Sequence, residues 1–161
     1  MKLKRFWEAH FLTMELALAI VLSLLFLIWS EIVNAGSFIQ TVFAGNRVAL
    51  YGALVALFGS LLGFSITAVS IVLGYANSDK LEIVRESAHY ADLWNTFKSA
   101  IKVLAFATVT SLIGLILDRD NLPNNLLLYL NIFSSILAFL RIGRCIWVLE
   151  NIIAIVTKPR K

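Results

Sequence analysis

Charge is scarce in this 161-residue chain: Asp, Glu, Lys and Arg together make up 15% of it. Cysteine occurs once, at Cys145, which excludes an internal disulfide framework and a cysteine-built zinc site. There are two histidines, His10 and His89, and no Cys/His pairing that could hold a metal or build a nucleophile. The phosphate-cradling GxxxxGK[ST], the GxSxG elbow and the HExxH helix are all missing, so neither an enzymatic activity nor a cofactor or metal is expected. No carboxylate falls in the middle of an apolar run, which removes the usual ion site of a coupled transporter.

Apolar residues make up 60% of the chain, and its mean hydropathy is +0.85. A soluble domain is typically closer to half apolar and a quarter charged. Lipid is therefore the expected solvent. A spanning helix needs about 20 mostly apolar residues, and four runs qualify, over about 11–33, 48–76, 100–117 and 126–146. Polar breaks separate them at Asn34–Ser37, at Asn77–Asp79 and at Asp118–Pro123. The expected fold is all-α, a single polytopic membrane domain of four transmembrane helices.

Of the 14 Lys and Arg residues, only Arg47 and Arg119 fall outside the N-terminus, the 77–102 loop and the C-terminal part. Basic residues stay on the cytoplasmic side, so both termini are expected there, in a bacterial inner membrane. This distribution needs no nucleic acid to explain it. Trp7, Tyr75 and Trp147 fall near the inner interface, and Trp29, Tyr51 and Tyr129 near the outer one. A cleaved signal peptide would leave three spans, but the first run exceeds the roughly 7–15 residues of a signal's apolar region.

Within the second run Gly52, Ala56, Gly59, Gly63, Thr67, Ser70 and Gly74 follow one another at steps of 4, 3, 4, 4, 3 and 4, so they share one helical face. Small residues let helices approach closely in lipid, where no hydrophobic reward drives association. Two expectations follow: packing against the other helices of the chain, or self-association, with a pore as one form. A weaker small face runs through Ala100, Ala107, Ser111 and Gly114 of the third run.

Residues 79–98 carry a helical apolar stripe through Leu81, Val84, Ala88, Ala91 and Trp94, opened by the pair Asp79 and Glu82. Glu82, Arg85, Glu86, His89 and Asp92 decorate this segment, which is expected to be a cytoplasmic helix and a docking face for a cytosolic effector protein. Glu86 and His89 make one Glu-x-x-His step, whereas a di-metal bundle site needs two. Three further charges fall at membrane depth: Glu15, Arg141 and Arg144. Arg141 falls short of the far edge of the membrane, so its default is to snorkel to the interface; the alternative is a buried cationic ring or pairing with Glu15 across the bundle, marking an anion path or a structural lock. Residues 147–157, with Glu150 and Asn151, are expected to form an amphipathic interfacial helix ahead of a basic tail.

The stretch LLGFSITAVSIVLGYANSDKLEIVRESAHYADLWNTFKSAI, Leu61 to Ile101, resembles the middle of small bacterial four-span membrane proteins, some of which resemble membrane components of phage-defence systems. The resemblance implies a membrane part that senses envelope disturbance for a cytosolic effector, or opens the membrane on its signal. An accessory or scaffold subunit of a larger membrane complex is the other expectation.

Overall fold

The computed structural model describes residues 2–32, 41, 43–74 and 90–156. They form four helices: α1 (Lys2–Ile32), α2 (Arg47–Gly74), α3 (Tyr90–Leu117) and α4 (Asn125–Val156). Each contains a stretch long and apolar enough to cross a membrane: Phe11–Ile32, Arg47–Ile71, Trp94–Leu117 and Asn125–Glu150. The all-α four-span class is as expected from the sequence.

Local chemistry sets the helix ends. Neither Gly nor Pro interrupts α1, so nothing breaks its backbone ladder. Ahead of α2, Gly45 takes a φ of 73°, a left-handed conformation that glycine adopts without a Cβ clash, and the Asn46 amide closes a turn onto the Phe43 carbonyl at 3.0 Å. At the start of α4 the Asn124 side chain accepts from the Leu126 and Leu127 amides at 3.1 and 3.3 Å, an N-cap that satisfies two otherwise orphaned donors.

Helix α3 begins by Tyr90, so the third span is continuous with the end of the 79–98 segment, in keeping with the helix expected ahead of that span. Residues 79–89 lie outside the described residues. Helix α4 runs unbroken through 147–156 and has no separate interfacial helix, because no proline follows until Pro159. At about 1.5 Å per residue it is about 48 Å long, more than a hydrocarbon core of about 30 Å.

The main interfaces are α2 with α3, α3 with α4, and α4 with α1. Helices α1 and α2 are thus the flanks of the array, with 11% and 6% of their spans buried against 33% for α3 and for α4. The chief core cluster comprises Phe58 of α2, Leu104 and Ala107 of α3 and Ala138 of α4. A second one gathers Phe26 of α1 and Leu50 of α2 around Leu128 of α4. Consecutive partners are antiparallel, which puts the start of α1 and the end of α4 at one end of the bundle and the α3–α4 turn at the other.

Candidate functional site

Helices α2 and α3 pack a face of large side chains against a face of small ones. On α2 it is the large side chains Tyr51 and Phe58, both fully buried, with Leu54, Leu61 and Leu62, that meet α3. On α3 they meet part of the small face that looked the weaker: Ala107 packs with Phe58, and the Tyr51 ring occupies the space a Gly114 Cβ would take, while Ala100 and Ser111 of the same face are also almost fully buried. Rings on one helix fill the gaps that missing side chains leave on the other.

Among the described residues, nothing packs against Gly52, Gly59 or Gly63 of the α2 stripe. A Cβ built on Gly52, Gly59 or Gly63 meets nothing within 4 Å. Ala56, Thr67 and Ser70 are exposed. The hydroxyls of Thr67 and Ser70 donate to the carbonyls of Gly63 and Ile66, each at 2.9 Å, so both are satisfied without a neighbour. Gly74 is the last residue of α2.

At the α3–α4 turn a buried ionic hub joins three helices. Asp118, directly after α3, accepts from Arg47 Nη1 at 2.7 and 2.6 Å and from the Tyr51 hydroxyl at 2.6 Å. It also accepts from the Asn124 amide, at 2.7 Å. Arg47 and Asp118 are both buried, and Asp120 approaches Arg47 Nε at 3.9 Å. Sequence reasoning treated Arg47 as a loop cation, Asp118 as a span stop and Tyr51 as an interfacial ring. The signal it left unused was one cation and one carboxylate immediately flanking two apolar runs.

At the opposite end, Glu15, Arg141 and Arg144 come together. Arg141 Nη1 donates to Glu15 Oε2 at 2.8 Å, and Nη2 donates to the Leu12 carbonyl at 2.8 Å. Arg144 Nε donates to Glu15 Oε1 at 2.9 Å. Its guanidinium carbon lies 4.6 Å from the Phe11 ring centre and 5.5 Å from that of Trp147. The default snorkelling of Arg141 is thus corrected: its side chain is 6% exposed and is held by α1. A free guanidinium at this depth costs more than one that finds a carboxylate and a carbonyl on an adjacent helix.

Between the two ends, α3 and α4 share a buried polar network. Ser111 donates to Asn131 Oδ1 at 2.8 Å, Asn131 Nδ2 donates to the Thr110 and Leu127 carbonyls at 3.2 and 2.9 Å, and the Thr110 and Ser134 hydroxyls lie 3.2 Å apart. Every polar atom of the Asn131 side chain has a partner in an environment without water to supply one. Ser30 and Tyr129, with hydroxyls 3.0 Å apart, add a bond between α1 and α4.

Of the expected docking face, Glu82, Arg85, Glu86 and His89 lie outside the described residues, and Asp92 falls in the first turn of α3. No family model, curated protein or solved structure matches the chain.

Proposed function

We propose that the protein is a non-enzymatic component of the bacterial inner membrane, with both termini cytoplasmic, that self-associates and serves as a membrane sensor or pore-forming effector with a cytosolic partner. The observation that supports this reading is the open small-residue face of α2. Small residues on one face let a neighbouring backbone approach closely in lipid, and none of the described residues uses the space at Gly52, Gly59 and Gly63. A second copy of α2 fits such a face by close backbone approach. The resemblance of Leu61–Ile101 to small four-span proteins supports a role in anti-phage defence.

The buried polar groups of the spans serve interfaces within one chain, so a conducting path would form between copies, beside Thr67 and Ser70. The test is the mass of the detergent-solubilised protein by light scattering. Wild type is expected to be oligomeric, and Gly59→Leu with Gly63→Leu to be monomeric. A monomer both before and after substitution sinks self-association and favours an accessory subunit that offers this face to a different membrane protein. Depolarisation of cells on overexpression separates a pore from a sensor.

A further inference from the structure

Among the described side chains, the ionic cluster at the terminal end of the bundle is unbalanced: one carboxylate, Glu15, faces two guanidiniums, Arg141 and Arg144. Glu15 uses one oxygen for each. Arg141 spends its remaining terminal nitrogen on the Leu12 carbonyl, and its Nε is buried without a partner. Arg144 commits only Nε, so among the described residues no acceptor takes a hydrogen bond from its Nη1 or Nη2. The next carboxylate along α4, Glu150, is exposed and about 9 Å further on at about 1.5 Å per residue. An excess positive charge next to hydrocarbon is costly unless an anion meets it.

Depth identifies the anion. Measured along α4 from Asn125, Arg144 is about 28 Å away, close to the edge of a core of about 30 Å, where lipid phosphates lie. Phe11 and Trp147 hold the guanidinium plane from its two ring contacts, and a guanidinium edge matches two oxygens of a phosphate. We infer that Arg144, backed by Arg141, binds a phosphate oxyanion, supplied by the headgroup of an anionic phospholipid in the leaflet at this end. The site stands apart from the α2 face and does not depend on self-association.

Native mass spectrometry of the detergent-purified full chain, titrated with phosphatidylglycerol, phosphatidylcholine or inorganic phosphate, tests it. Phosphatidylglycerol adducts are expected at lower concentration than phosphatidylcholine adducts, and Arg144→Gln is expected to weaken phosphatidylglycerol binding about fivefold, the value of one cation at a lipid surface. A tail variant with Lys158→Gln, Arg160→Gln and Lys161→Gln is expected to bind as wild type. Displacement of the lipid by inorganic phosphate assigns the site to free phosphate, and resistance to displacement assigns it to the headgroup. Should Arg144→Gln not fold, Arg144→Lys is read instead; it keeps the charge, loses the fork and is expected to bind more weakly than wild type. Equal binding of the two lipids, or a loss confined to the tail variant, overturns the inference.

Discussion

Asp118 ties three helices together, since its two oxygens hold the start of α2 through Arg47 and Tyr51 and the start of α4 through the Asn124 amide. Removing its charge leaves the buried Arg47 with only Asp120, 3.9 Å from its Nε, as a carboxylate neighbour among the described residues. Asp118→Asn is therefore expected to cost about 3–5 kcal/mol, the usual penalty for orphaning one half of a buried pair. Adding Arg47→Met is expected to recover much of it, because a buried ion pair exchanged for apolar side chains is often neutral. Reversible unfolding in mixed micelles, read as a double-mutant cycle, checks both. If Arg47→Met worsens the Asp118→Asn variant, the pair is not the source of the loss. The sequence offered only a faint sign of this pair, since Arg47 and Asp118 stand 71 residues apart at the margins of different apolar runs. Glu15 and Arg141 were easier to read, since both sit inside apolar runs. What decided their pairing was the adjacency of the first and last helices, which chain order does not reveal.

At the scale of helices, periodicity read the faces correctly but not their partners. The small face of α2 and the small face of α3 are both present as spaced; α3 uses its own against the rings of α2, and α2 leaves its own open. A small stripe marks where a backbone can come close, while the choice of neighbour depends on which ring-bearing face has a matching register. This contrast is measurable. Gly114→Ala pushes a methyl group into the Tyr51 ring and is expected to destabilise the fold by about 1–3 kcal/mol, the typical cost of overpacking. Gly59→Ala meets open space and is expected to leave the monomer's stability within about 0.5 kcal/mol of wild type. Unfolding midpoints of the two variants in dilute detergent check the pair; a loss at Gly59 equal to that at Gly114 contradicts the packing described for α2.

For the molecule as a whole, the number and type of spans were plain from the apolar runs, because hydrocarbon thickness and the need to satisfy every backbone group leave few choices. The antiparallel array puts the start of α1 and the end of α4 together, and the basic residues make the cytoplasm the proposed side for that end. Reporters fused before Lys2 and after Lys161 are expected on the cytoplasmic side, with one inserted at Asn121 on the opposite side. A periplasmic signal from the Lys161 fusion overturns the four-span topology.

The fastenings of α1 to α4 lie near both ends of their seam, at Glu15 with Arg141 and Arg144 and at Ser30 with Tyr129. Sliding one helix past the other would break both sets at once, so this pair behaves as a gauge of fixed length. A bilayer thinner or thicker than that gauge cannot be met by a change in helix register. It must be met by tilting the two helices together or by deforming the lipid around them.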